Sequence, residues 1–187
     1  TTTCTCQTKF AWDTATTKCL IQCGSLNDTA GAVTGTIDAC NCRSGFYWST
    51  SSLVCIRNCS LISYATTLVS GSNQVCNCQT KFIWSISSEK CLVNCTAIQD
   101  NQGLSSGTVD VCSCNTNFTW DSAQLNCYRQ CSIYPYANGL ASGSLRNCNC
   151  NNSLFTWDQT TAQCTVQCSQ IDHTLGLKSG TYDICNC

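Results

Sequence analysis

The residues with chemistry to offer in this chain are its 22 cysteines, set among 187 residues. They alternate between two spacings. A Cys-x-Cys pair recurs at Cys4/Cys6, Cys40/Cys42, Cys76/Cys78, Cys112/Cys114, Cys148/Cys150 and Cys185/Cys187. Between successive pairs lies a Cys-x3-Cys, at Cys19/Cys23, Cys55/Cys59, Cys91/Cys95, Cys127/Cys131 and Cys164/Cys168. Sulfur at this density can ligate a soft metal, cycle between thiol and disulfide, or lock the chain into permanent cross-links.

Thiolates are strong zinc ligands, and Cys-x-Cys is common in metallothionein-like chains. Those chains generally lack aromatics, whereas here every Phe and Trp sits in a Phe-x-Trp phrase inside the cysteine framework: Phe10/Trp12, Phe46/Trp48, Phe82/Trp84, Phe118/Trp120 and Phe155/Trp157. Zinc knuckles and thioredoxin-like redox motifs favour Cys-x2-Cys, a spacing that never occurs in this sequence. Cross-linking is therefore the expected use of the sulfur, with neither metal nor cofactor. Catalysis has little else to draw on. Nucleophilic mechanisms usually need a base, and the only histidine, His173, lies in a variable loop where an exposed side chain is the ordinary reading. Asp13, Asp121 and Asp158 follow a Trp, but Ser49 and Ser85 take that place in two units, so these positions read as turn residues. No glycine-rich phosphate loop occurs, and the chain is expected not to be an enzyme.

Five tripeptides carry the N-glycosylation pattern: Asn27-Asp28-Thr29, Asn58-Cys59-Ser60, Asn94-Cys95-Thr96, Asn117-Phe118-Thr119 and Asn151-Asn152-Ser153. Asn58 and Asn94 hold equivalent places, each beside a cysteine. The net charge is −1 and charged residues make up 10% of the chain, so neither nucleic acid nor a membrane surface is an expected partner. No apolar run reaches the roughly 18 residues needed to span a bilayer. There is no signal peptide at the start and no methionine, which suggests a processed product or a window from a longer protein.

Elements that could hold this pattern follow from its period. The unit reads C-x-C-x12-C-x3-C-x16 and repeats every 36 residues, with one inserted residue in the last unit. The repeats run over 1–39, 40–75, 76–111, 112–147 and 148–184, and 185–187 opens a further one. Residues i and i+2 of a strand share a face, so each Phe-x-Trp places two rings side by side over the disulfides. The spacing predicts a β-hairpin, with Phe-x-Trp on the first strand, a polar turn, and Lys18-Cys19-Leu20 or its equivalent on the second. The x16 segments each carry a glycine five residues before the next Cys-x-Cys (Gly35, Gly71, Gly107, Gly143, Gly180), which suggests a turn with positive φ. They read as short irregular connections with two bends. A 36-residue unit is too small to bury an adequate apolar core, so covalent staples and a concentrated aromatic pair must replace one. The fold class is a small, disulfide-rich, mostly β array of tandem repeats, expected to form an elongated rod.

Three pairings fit the spacing. In a sequential scheme each x12 and each x16 segment closes on itself (Cys6 with Cys19, Cys23 with Cys40, and so on), leaving Cys4 and Cys187 without partners. In a crossed scheme Cys19 pairs with Cys40 and Cys23 with Cys42, leaving Cys4 and Cys6. In the third the unit starting at Cys4 is self-contained, leaving Cys185 and Cys187. The run Cys40-Asn-Cys-Arg-Ser-Gly-Phe-Tyr-Trp through Cys55 resembles the end of an EGF-like module and the hairpins of TNF-receptor and growth-factor-receptor cysteine-rich repeats. In the EGF-like pattern the first Cys of Cys-x-Cys pairs backwards and the second forwards, which implies the sequential scheme. This unit has four cysteines where an EGF-like module has six, so the remaining bridge and the calcium ligands have no counterpart. More loosely, the Asn-, Ser-, Thr- and Gln-rich tandem Cys-x-Cys repeats resemble ciliate surface antigens and related protist coat proteins.

A regular cysteine density of this kind belongs to an oxidising compartment, so the chain is expected at the cell surface or outside the cell. The leading expectation for function is a structural glycoprotein, a repeat segment of an extracellular filament or coat whose partners are covalent glycans and neighbouring repeats or copies of itself. Under sequential pairing Cys4 and Cys187 take partners outside this segment, within a longer array or by head-to-tail joining of copies. The alternatives are a cysteine-rich receptor or adhesion ectodomain binding a protein or glycan through its variable loops, and a secreted inhibitor or toxin-like module.

Overall fold

The computed structural model describes residues 4–187. Its regular structure is β-hairpin: each sheet has two strands, and the helical pieces among the described residues are three-residue 3-10 turns. The chain divides into two compact units, one ending at Leu92 and one beginning at Val93. Two kinds of hairpin alternate in both.

The first kind carries the rings. Phe10–Asp13 pairs with Lys18–Ile21, Phe46–Ser49 with Val54–Arg57, Phe82–Ser85 with Lys90–Val93, Phe118–Asp121 with Asn126–Arg129, and Phe155–Asp158 with Gln163–Val166. Directly opposed residues share a sheet face. Trp12 lies opposite Cys19, Trp48 opposite Cys55, Trp120 opposite Cys127 and Trp157 opposite Cys164, so each of these rings flanks a half-cystine of its own hairpin. The residue after each Trp closes the turn, as its type suggests. Asp13 accepts the Thr16 N–H at 3.1 Å, Ser49 Oγ the Ser52 N–H at 3.3 Å, and Asp121 the Ala123 N–H at 2.8 Å. The last turn residue is left-handed without being glycine: Thr17, Leu53, Glu89, Leu125 and Ala162 have φ between 48° and 53°.

The x16 segments differ from the sequence expectation of an irregular connection, because each folds into a second hairpin. After a 3-10 turn begun by the second Cys of Cys-x3-Cys, Thr29–Ala32 pairs with Cys40–Cys42 and Ala65–Leu68 with Cys76–Cys78. Asn101–Leu104 with Cys112–Cys114, Ala137–Leu140 with Cys148–Cys150, and Gly176–Leu177 with Cys185–Asn186 follow the same plan. The Cys-x-Cys is thus itself a strand. In the first four of these hairpins its partner strand is irregular in register, and Gly31 and Gly103, both at φ 110°, sit at that irregularity in a conformation that side chains disfavour. The five recurring glycines Gly35, Gly71, Gly107, Gly143 and Gly180 have φ from 74° to 81° at the hairpin tip. One backbone bond per repeat ties the two hairpins together. Ile21 N–H donates to Ile37 at 2.8 Å, Arg57 to Asn73 at 2.8 Å, Arg129 to Leu145 at 2.9 Å and Val166 to Tyr182 at 2.7 Å.

The interior is mostly sulfur. Among the described residues the buried apolar set is cysteine apart from Ile21, Val93 and Ile98, while Leu61, Ile86 and Leu175 are exposed. Hydrophobic burial of this kind cannot hold a 36-residue unit, so the cross-links carry the load: a bridge closing about 15 residues contributes roughly 3 kcal/mol.

Candidate functional site

Two features could serve function: the ladder of disulfides with its unpaired members, and polar seams where Arg side chains lie over the rings. The ladder has ten bridges of two alternating kinds. One set ties each Cys-x-Cys segment to the ring hairpin that follows it: Cys6–Cys19, Cys42–Cys55, Cys78–Cys91, Cys114–Cys127 and Cys150–Cys164. The other set ties the 3-10 turn to the Cys-x-Cys strand that follows it: Cys23–Cys40, Cys59–Cys76, Cys95–Cys112, Cys131–Cys148 and Cys168–Cys185. This is the sequential arrangement. Each bridge is local, spanning 13, 14 or 17 residues over Cα–Cα distances of 5.6–5.9 Å. Cys4 and Cys187 are unpaired and exposed. In the repeat pattern the equivalents of Cys4 bond backwards by 17 residues and the equivalents of Cys187 bond forwards by 13 or 14.

The glycosylation candidates lie in different settings. Asn27, Asn117 and Asn151 are exposed, whereas Asn58 and Asn94 are half-buried. At Asn58 and Asn94 the sequon folds back on itself: Ser60 Oγ donates to Asn58 Oδ1 at 2.6 Å, and Thr96 Oγ1 donates to Asn94 Oδ1 at 2.7 Å. Asn58 Oδ1 also accepts the Ser60 N–H and so caps its 3-10 turn. His173 is exposed on a left-handed residue of the last repeat and meets no carboxylate or nucleophile in a described interaction. Asp13 and Asp158 bond within their own turns. Bonds from Thr16 hold the Asp13 carboxyl below its ordinary value, and the Thr160 N–H, then the Thr161 hydroxyl, do the same for Asp158.

Sequence reasoning missed the seams. At the strand position opposite the Phe stand Ile21, Arg57, Arg129 and Val166, and Val93 holds the corresponding place in the sequence. Arg57 is buried all the same, because its guanidinium lies 4.5 Å over the Phe46 ring and 5.5 Å over the Trp84 ring of the next repeat. Its Nε donates to Gln74 O at 2.6 Å, and a terminal nitrogen meets Glu89 Oε1 at 2.8 Å. Glu89 also accepts from Arg43 at 3.2 Å, Arg43 pairs with Asp28 at 2.6 Å, and Gln74 Nε2 donates to Asp28 at 2.6 Å. The Arg57 bond, then the Arg43 bond, keeps the Glu89 carboxyl below the usual glutamate range.

Arg129 repeats the arrangement inside the second unit. Its guanidinium lies 4.8 Å over Phe118 and 5.6 Å over Trp157, and its Nε donates to Arg146 O at 2.6 Å. Tyr134 OH accepts from Nη1 at 2.9 Å, and Arg146 forks onto both Asp100 oxygens at 2.6 and 2.9 Å. The signal was present in the sequence at twice the cysteine period: Asp28/Asp100, Arg57/Arg129 and Tyr64/Tyr136 are each 72 residues apart. The tyrosines share a role too, stacking on the Phe of the following repeat (Tyr64 on Phe82 at 4.0 Å, Tyr136 on Phe155 at 4.3 Å).

No cluster of three His, Cys, Asp or Glu suited to a metal ion occurs among the described residues, and no helix there is long and apolar enough to cross a membrane. The small disulfide-bonded hairpin repeats fit the tandem pattern of EGF-like modules. Compared with known proteins, the chain matches no protein-family model and no curated protein.

Proposed function

We propose that this chain is a structural segment of an extracellular glycoprotein, a repeat stretch of a surface filament or coat, without enzymatic activity. The observation that carries the reading is the replacement of an apolar interior by one disulfide per hairpin, ten along the chain. Such a fold is held by covalent bonds that persist in an oxidising compartment. The same bridges recur along the chain, one within each repeat and one to the next. The loose resemblance to ciliate surface antigens and protist coat proteins points the same way. In this reading Asn27, Asn58, Asn94, Asn117 and Asn151 are the candidate glycan positions, and Cys4 and Cys187 bond to cysteines of adjoining repeats or of further copies.

The test is antibody labelling of intact, unpermeabilised cells that produce the native protein, with non-reducing electrophoresis of the material released from them. Surface labelling, with a ladder or high-mass species that collapses on reduction and shifts on deglycosylation, supports the proposal. An intracellular, unglycosylated monomer with free thiols at Cys4 and Cys187 refutes it.

A further inference from the structure

The two Arg seats share a strand position, a pair of rings and a backbone bond, and they differ in counter-charge, which leaves one charge unanswered. Arg57 and Arg129 occupy the same strand position, lie over the same pair of rings, and send Nε to the same backbone carbonyl, that of Gln74 or Arg146, each at 2.6 Å. Arg57 has a carboxylate at 2.8 Å from Glu89. The residue equivalent to Glu89, five after the repeat's Trp and two before its Cys, is Ala162 in the last repeat. Their backbones agree as well, with φ of 53° at Glu89 and 52° at Ala162. Among the described residues Arg129 has no acidic partner, because Asp100 is engaged by both nitrogens of Arg146 and Tyr134 contributes only a neutral hydroxyl.

A cleft of about 270 Å³ opens at this seat, lined by Asp100, Arg129, Arg146, Asn147, Trp157 and Gln159. Two guanidiniums against one carboxylate leave it with a net positive charge. A cation held between rings and partly removed from water favours an anion over a neutral ligand. The first unit answers that demand internally with a carboxylate, which names the chemistry. Around it stand side-chain amides of Asn147 and Gln159 and a carboxylate of Asp100, donors and acceptors of the kind that meet hydroxyl groups. The volume lies just below the ~300–1,000 Å³ of drug-sized pockets, which suits a single sugar ring.

We propose that the cleft beside Arg129 binds the carboxylate of an acidic sugar, in the place that Glu89 fills beside Arg57. Arg129 holds the carboxylate, and Asn147 and Gln159 meet the ring hydroxyls. The site is built from the third, fourth and fifth repeats and does not depend on the coat reading.

The test is NMR titration of the intact, oxidised chain at low salt with sodium glucuronate, sodium acetate and glucose, following the Arg129 Nε–H and the Trp157 indole N–H. Glucuronate is expected to shift both at millimolar concentration, acetate to bind more weakly, and glucose not to bind. Ala162→Glu supplies the missing carboxylate from within and should weaken glucuronate by about tenfold or more, the worth of one charge-assisted contact. Its disulfide map and tryptophan signals verify that it folds. Gln159→Ala, in an exposed turn, should weaken glucuronate several-fold and leave acetate unchanged. Failure of glucuronate to bind the parent chain, or equal binding by parent and Ala162→Glu, overturns the site. Acetate binding as tightly as glucuronate, or glucuronate binding unaffected by Gln159→Ala, overturns the assignment to a sugar.

Discussion

Removing the Glu89 carboxylate measures how far the first Arg seam depends on charge. Arg57 exposes only 7% of its side chain, while Glu89, its sole carboxylate among the described residues, exposes 44% and sits 2.8 Å away. Glu89→Ala leaves Arg57 its carbonyl bond to Gln74 and its two ring faces, but no counter-charge. Breaking a buried pair from one side costs about 3–5 kcal/mol, and breaking an exposed pair about 0–1 kcal/mol. With one partner buried and the other half in water, the expected loss is about 2 kcal/mol. For a unit of this size, melting shifts by about 4–8 °C per kcal/mol. Near-UV circular dichroism of the oxidised protein reads the transition through its tryptophans. The effect should vanish in acid. Bonds from Arg57 and Arg43 lower the folded Glu89 pKa, so its contribution is complete above the unfolded glutamate value of about 4.3 and is lost as pH falls through the folded value. Asp13 and Asp158 lose their turn bonds in the same direction, but they do so in parent and variant alike and cancel in the difference. A melting difference below about 1 °C at pH 7, or one that persists unchanged well below pH 4, would refute the reasoning.

Other perturbations probe the staples and the backbone. Replacing Cys42 and Cys55 together by Ser opens a loop of 13 residues and should cost about 3 kcal/mol, exposing the second ring hairpin to protease while the other repeats stay resistant; uniform resistance would show that the bridge is dispensable. Thr17 is β-branched, exposed and held at φ 53°, so Thr17→Gly should stabilise the first unit by about 1 kcal/mol in thermal melts, and a loss of stability would contradict the strain argument. Asn58→Ala removes the cap on the Ser60 N–H and should cost about 1 kcal/mol in non-glycosylated protein, a change that denaturant titration resolves.

The sequence carried the ring hairpin almost completely. Phe-x-Trp has strand period, the Asp or Ser after it bonds its own turn, and the half-cystine falls opposite the Trp because four turn residues separate the strands. The second hairpin was not legible for a physical reason. Segments such as Thr-Ala-Gly-Ala at 29–32 and Asn-Gln-Gly-Leu at 101–104 have neither alternation nor a buried face, and they pair because a 17-residue disulfide and a left-handed glycine bring them back onto the Cys-x-Cys. The Arg seams escaped because a lone Arg in the middle of a Cys-x3-Cys reads as surface. Only the rings of two hairpins, one from the following repeat, turn Arg57 into an interior residue, and that juxtaposition is tertiary. The glycosylation candidates were visible as tripeptides, whereas the difference between exposed Asn117 and half-buried Asn58 belongs to the fold.

Disulfide mapping of the native protein, alkylated and digested without reduction, tests the central claim most directly. The local ladder requires peptides linking Cys42 to Cys55 and Cys59 to Cys76, and the coat proposal adds linkage of Cys4 and Cys187 to cysteines outside these 187 residues. Recovery of Cys55 bound to Cys76 would contradict the ladder. Alkylated thiols at both Cys4 and Cys187 in a discrete monomer would contradict the array built upon it.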